Sequence, residues 1–295
     1  MANTKALVKR RKSVTNTRKI TKTMERVAMA RLARAQNAAI AARPYARKLQ
    51  QVIGDLASAS GDFSHPLLET HEPPKKAVIV VLLSDRGLCG GYNGNIMREA
   101  RALNAKLQER KLEIERIVLG KKGVGAFRFL NLPVAKSYVG VSDKPSYARA
   151  EEIANGLIER FGKREIDEVY IVFSSFISMV TQKPRVEKIL PLSSLKEEIA
   201  AKTDKKEAKE AGEYLFEPDP ASVLTSVLPL VVKMSLFTAM LDNTAGEHAA
   251  RRLAMKNATD AADDMIKQLT REYNRARQSK ITQEIAEIVG GAEAL

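Results

Sequence analysis

Apolar residues recur along this 295-residue chain in three rhythms. Near the N-terminus, Ala28, Leu32, Ala35, Ala39, Ala42, Ala46, Leu49, Ile53 and Leu56 alternate four and three residues apart. That spacing keeps one stripe of a helix turned toward a partner helix. Alanine at most of these positions permits close approach but buries little area, so the helix is not expected to stand alone. Pro44 interrupts the pattern and predicts a kink. A helix from residue 4 to 57 would be roughly 80 Å long.

From about residue 75 to 195, short apolar runs alternate with amphipathic stretches. "AVIVVLLS" reads as a buried strand and "YNGNIMREARALNAKLQER" as a helix. "IERIVLG" predicts a strand, "KKGVGAFRFLN" a short helix and "VAKSYVG" another strand. "SYARAEEIANGLIERFG" predicts a helix, "DEVYIVFSSFIS" a strand and "RVEKILPL" a last strand. Alternation of this kind predicts an open, largely parallel, Rossmann-like sheet with helices on its faces. The stretch that follows, residues 196–213 at its centre, is charged and poor in apolar residues, and is expected to be a mobile linker or solvated helix.

The third rhythm begins after "EPDPASVL", where Asp219 before Pro220 signals a helix start. Met255, Ala258, Ala262, Met265, Leu269, Tyr273 and Ala276 follow a mostly heptad spacing, which Ile281, Ile285 and Ile288 resume. Gly246 is isolated and Pro229 falls early, so a helix from 221 to 287 could run unbroken for about 100 Å. Two long terminal helices with weak seams, separated by a compact domain, predict antiparallel pairing within one chain. The expected divisions are a helix at 1–60, an α/β domain at 75–195, a linker at 196–213 and a second coiled-coil helix at 214–295.

Charge sharpens this picture. The formal net charge is +14, and residues 1–50 hold fourteen Lys or Arg against a single acid, Glu25. So strong a concentration on one helix exceeds what solubility requires and implies an acidic partner. A basic coiled coil that binds nucleic acid is the alternative reading, although the alanine stripe suits packing better than a groove-reading face. The single cysteine excludes an internal disulfide, and His65, His71 and His248 lack metal-ligand spacing. No apolar segment follows the basic start, and no apolar run approaches 18 residues, so neither a signal peptide nor a membrane span is expected.

Two glycine-rich segments raise the question of phosphate binding. In "SDRGLCGGYN", Gly87, Gly90 and Gly91 lie between a strand and a helix, where many proteins hold phosphate. A P-loop needs Lys and Ser or Thr after its glycines, and a dinucleotide fingerprint needs G-x-G-x-x-G. Neither this segment nor "GKKGVG" at 120–125 fits. The glycines are expected to shape tight strand-to-helix turns. Nothing in the middle domain pairs a nucleophile with a base, and Cys89 has no histidine near it in sequence, so catalysis is not expected.

The C-terminal "ARQSKITQEIAEIVGGAEAL" resembles the signature of the gamma subunit of the F-type ATP synthases, through Ile281, Thr282, Glu284, Glu287, Gly291, Ala292 and Ala294. "TRKITKTMERVAMAR" followed by "RPYA" is similar to the family's first helix, and "SDRGLCGG" to its most recognisable internal motif. "YLFEPDP" and "AMKNATDAA" match its return into the second helix and its mid-helix stretch. These blocks fall in order over nearly the whole chain. The family's chloroplast-type members carry an insertion with a regulatory cysteine pair. This chain has only Cys89, and the resemblance is to the bacterial type.

The resemblance implies a central rotor shaft inside a ring of alpha and beta subunits. The sheet domain would rest on the membrane ring of c subunits, with the epsilon subunit alongside. Such a chain carries torque between proton flow and ATP synthesis or hydrolysis; it holds no cofactor or metal and performs no bond chemistry. It implies beta-subunit contacts at Arg277, Gln278, Thr282, Arg86, Met24 and Arg251, and c-ring contacts at Tyr214, Phe216 and Glu217. It also implies a peripheral position at the cytoplasmic face of a bacterial membrane.

Overall fold

The computed structural model describes residues 4–60, 65–192 and 219–293. Its elements run α1 (Thr4–Ser60), a 3-10 turn (Pro66–Leu68), β1 (Lys76–Leu82), α2 (Tyr92–Glu109), β2 (Glu113–Leu119), α3 (Lys121–Phe129) and β3 (Lys136–Tyr138). They continue with α4 (Tyr147–Gly162), β4 (Glu168–Phe176), β5 (Gln182–Leu190) and α5 (Pro220–Glu293). The chain divides into two compact units, one of Met1–Met29 with Arg251–Leu295 and one of Ala30–Ala250. Both α1 and α5 contribute to each unit, and they run through Pro44 and Pro229 respectively.

In the larger unit the strands lie in the order β3-β2-β1-β4-β5. All neighbours are parallel except β4 and β5, which form an antiparallel hairpin. β1 is central and buried from Ala77 onward, because helices cover both faces of a parallel sheet. Its side chains alternate between the two faces. Val78, Val80 and Leu82 pack with Ile153, Leu157 and Phe161 of α4 and with Leu224, Leu228 and Leu236 of α5. Ala77, Ile79 and Val81 pack with Ile96, Leu103 and Leu107 of α2 and with Phe127 of α3. β5 starts at Gln182 rather than at Arg185. It carries Pro184, which an edge strand tolerates because one side needs no ladder donor.

The apolar first part of α5 corrects one expectation. This helix contains a stretch whose length and mean hydropathy of 1.8 would suffice to cross a membrane. Serine, threonine and a lone lysine break the apolar run to the eye without lowering its mean. Leu224, Leu228, Val232 and Leu236 are at most 2% exposed and belong to the sheet's core. One face of this stretch is thus committed to the sheet's core.

Within the same unit, Leu32 and Ala35 of α1 pack on Ala245 and Ala249 of α5, with Phe176 alongside. Within the smaller unit the pairing is antiparallel: Thr21 meets Thr259, Arg18 pairs with Asp263, and Arg11 lies over the Tyr273 ring. The seam of α1 extends further toward the N-terminus than the apolar pattern predicts. Leu7, Arg11, Val14 and Arg18 are half-buried and Thr21 is buried, at the same four-three spacing. Polar side chains occupy part of this stripe, so hydrophobicity does not reveal it.

Two details of the α5 seam also differ. Met265 is 42% exposed, and Ile266 is the half-buried residue of that turn. Ile281, Ile285 and Ile288 are 45%, 57% and 71% exposed. Thr4, Lys5 and Val8, at the described start of α1, line a groove with Tyr273, Arg277, Lys280, Ile281 and Glu284. Ile281 is part of that groove, whereas Ile285 and Ile288, further along α5, are not among its lining residues.

Candidate functional site

The turn after β1 is built around Asp85 and Asn93. Asp85 accepts hydrogen bonds from the backbone N–H groups of Lys121 and Gly140 at 2.9 Å and of Ser142 at 3.0 Å. Burial by itself would raise this carboxyl, but those donors outweigh it and hold it below the usual carboxylate range. One side chain thus ties the 84–91 turn to the loops after β2 and β3. Asn93, on the first turn of α2, accepts from the Ser84 N–H at 3.0 Å and donates to Ser84 Oγ at 2.7 Å and to Cys89 Sγ at 3.4 Å. Cys89 is 3% exposed, a small residue packed inside the turn.

Of the three glycines here, only Gly90 adopts positive φ, at 58°, while Leu88 adopts 63° without being glycine. In the second glycine segment, Gly120 has φ 101°, and a Cβ there would lie 2.1 Å from the Leu83 carbonyl oxygen. Both segments are thereby accounted for as turn and packing devices.

The residues expected to meet partners fall in several places. Arg86 projects from the turn with its side chain 63% exposed and its Nε 3.1 Å from Asp143 Oδ2. Arg277, Gln278 and Thr282 are exposed on α5 in the smaller unit. Gln278 and Thr282 share a helix face, and Thr282 Oγ1 donates to the Gln278 carbonyl at 3.0 Å. Arg277 lines the groove at the start of α1, a cavity of about 460 Å³. Met24 is half-buried on α1. Arg251 is only 6% exposed and is engaged within the chain, so it is not a surface side chain. Tyr214, Phe216, Glu217 and the charged 196–213 segment lie outside the described residues.

Sequence reasoning missed a cluster around Asp143, which sits in "SDKPSY" with nothing to mark it. Its Oδ2 also accepts from Arg31 Nη1 at 2.9 Å, and its Oδ1 lies 3.9 Å from His248 Nε2. Asp143, Glu247 and His248 bring ligand-type atoms within 4.8 Å of one another, against the expectation that the histidines are merely scattered. Arg31 and Arg86 already balance the Asp143 charge. A divalent cation there would face two guanidinium groups, so the arrangement suits an ion-pair network.

Comparison with known proteins is consistent over the full length. A family model described as ATP synthase matches residues 3–295. An ATP synthase gamma chain from Pelotomaculum thermopropionicum is 44% identical over 295 residues, covering 100% of both chains. One from Saccharopolyspora erythraea is 43% identical, covering 100% of this chain and 98% of its own. Among solved structures, a chain of the Euglena gracilis mitochondrial ATP synthase (OSCP/F1/c-ring, rotational state 3) superimposes with a TM-score of 0.63 at 19% identity. That match covers 99% of this chain and 95% of the other. A chain of the Tetrahymena thermophila mitochondrial ATP synthase central stalk and c-ring gives 0.60 at 22% identity, covering 81% and 99%. With paired terminal helices, a five-stranded sheet between them and relatives of this identity along its whole length, the chain belongs to the ATP synthase gamma chain family.

Proposed function

We propose that this chain is the central rotor shaft of an ATP synthase, passing torque between a membrane ring of c subunits and a catalytic ring of alpha and beta subunits. The observation that carries this reading is the 44% identity to a gamma chain over the whole of both chains. The antiparallel helix pair supports it physically. A slim, alanine-lined seam makes a narrow axle, and the basic surface of α1 suits attraction to acidic loops on the ring around it. Nothing found favours the nucleic-acid alternative.

In this reading the chain is a non-catalytic subunit with no cofactor of its own. It sits peripherally at the cytoplasmic face of the membrane and touches alpha, beta, epsilon and c subunits. Arg277, Gln278, Thr282 and Arg86 contact the beta subunits through exposed side chains, and half-buried Met24 of α1 is a further contact. Arg251, being buried, bears on the same contact through the packing of α5. Tyr214, Phe216 and Glu217 meet the c ring. The test is co-purification of the tagged chain from its native membrane. Alpha and beta subunits with ATPase activity should travel with it, and recovery of the chain without them would overturn the reading.

A further inference from the structure

Four parts of the larger unit converge at Asp143. It lies in the loop between β3 and α4. It accepts from Arg31 of α1 at 2.9 Å and from Arg86 of the 84–91 turn at 3.1 Å, and faces His248 of α5, which is 1% exposed. The backbone around it is held from both sides. The Ser142 N–H donates to Asp85 Oδ2 at 3.0 Å, the Asp85 N–H donates to Ser142 Oγ at 2.9 Å, and Thr244 Oγ1 donates to the Ser142 carbonyl at 2.8 Å. The residue before Asp143 is thereby tied to the turn that carries Arg86.

The two arginines differ in exposure. The Arg31 side chain is 31% exposed and closes the pair on the helix side, whereas Arg86 keeps 63% of its side chain in solvent. An exposed arginine loses rotamer freedom when it engages a partner. A carboxylate fixed against its Nε removes part of that freedom beforehand, while most of the side chain still faces outward. An ion pair this open to water adds little to folding stability, so orientation is the larger effect available to it.

We propose that Asp143 is a positioning residue that holds Arg86 in the orientation in which it engages a carboxylate of a partner subunit. This rests on the reading of Arg86 as a partner contact given above. The experiment uses the assembled complex carrying Asp143→Asn, Asp143→Glu, Arg86→Ala or the double variant Asp143→Asn/Arg86→Ala. Assembly is read by co-purification and function by steady-state ATP hydrolysis.

Asp143→Asn and Arg86→Ala should each slow turnover about threefold, the scale of one exposed charge pair. The double variant should be no slower than Arg86→Ala, because Asp143 acts through Arg86. Asp143→Glu, which restores the charge, should recover part of the loss. Wild-type turnover in Asp143→Asn with a slow Arg86→Ala, or losses that multiply in the double variant, would remove the role of Asp143 and leave the Arg86 contact standing. Wild-type turnover in Arg86→Ala would remove that contact and this proposal with it. If Asp143→Asn fails to assemble, the carboxylate serves the fold rather than orientation, and the proposal falls.

Discussion

Asp85 and Arg86 are adjacent in a motif that stands out in the sequence, yet they do different work. Asp85 turns inward and collects backbone donors from two other loops. Replacing it with alanine removes the acceptor of all three N–H groups; water can reach those of Lys121 and Gly140, but that of Ser142 is part-buried, and an orphaned buried donor costs about 1 to 3 kcal/mol. Asp85→Ala should therefore lower the thermal midpoint of the isolated chain by several degrees, and an unchanged midpoint would show that water takes over the three donors. At the other end of the chain, Arg277, Gln278 and Thr282 are exposed and their chemistry is all outward. If they were ordinary surface residues, the triple alanine variant would keep ATPase activity within about twofold. As beta-subunit contacts they should lower turnover or proton coupling well beyond that while the complex still assembles; wild-type rates and coupling would remove them from the interface.

At the scale of elements, the smaller unit shows how a helix pair survives with little apolar area. The hydroxyls of Thr21 and Thr259 lie 2.7 Å apart, and both residues are buried. Each hydroxyl also lies within hydrogen-bond distance of a carbonyl of its own helix, Arg18 at 3.1 Å for Thr21 and Met255 at 2.8 Å for Thr259, so two protons are shared among three contacts. Thr21→Val or Thr259→Val alone leaves one buried hydroxyl facing a methyl group and should cost about 1 kcal/mol. The double valine variant should cost less than the sum, with a coupling of at least about 0.5 kcal/mol. Additive losses in chemical denaturation would mean that the two hydroxyls do not cooperate. The same helices explain why Ile285 and Ile288 follow a heptad without being buried. Their spacing belongs to α5, but burial also needs α1 alongside, and its first described residues lie opposite Tyr273 to Glu284.

For the whole molecule, several carboxylates tie loops and strands together in the larger unit. The Arg160 guanidinium holds the Glu115 carboxyl below its usual range. Burial would raise Asp167 and Glu168, but hydrogen bonds outweigh it. The donors are the Lys75 and Lys76 backbones and His71 for Asp167, and Arg110 and Lys188 for Glu168. With Asp85, all four carboxyls are lowered in the folded state. Their contribution is complete above the unfolded values of about 3.9 to 4.3 and is lost as pH falls through the lower folded values, because protons then bind the unfolded chain more readily. The thermal midpoint should therefore fall steeply below about pH 4, with Glu168→Gln reducing the acid slope. A midpoint that holds steady down to pH 3 would contradict this account.

Periodicity and composition determined most of the architecture, because each rhythm is a local consequence of which face an element must bury. The alternating strands and helices, the two long terminal helices and the basic first helix are all legible in this way. Tertiary structure decided what depends on residues distant in the chain. It extended the α1 seam through Arg11, Arg18 and Thr21, whose polarity conceals burial that only the partner helix reveals. It moved the buried position from Met265 to Ile266, a choice between neighbours set by how the two helices face each other. It gathered Arg31, Arg86, Asp143 and His248 from four separate segments into one network. No local pattern encodes such a meeting. It arises because the loops after parallel strands open at the same edge of the sheet, where the two long helices pass.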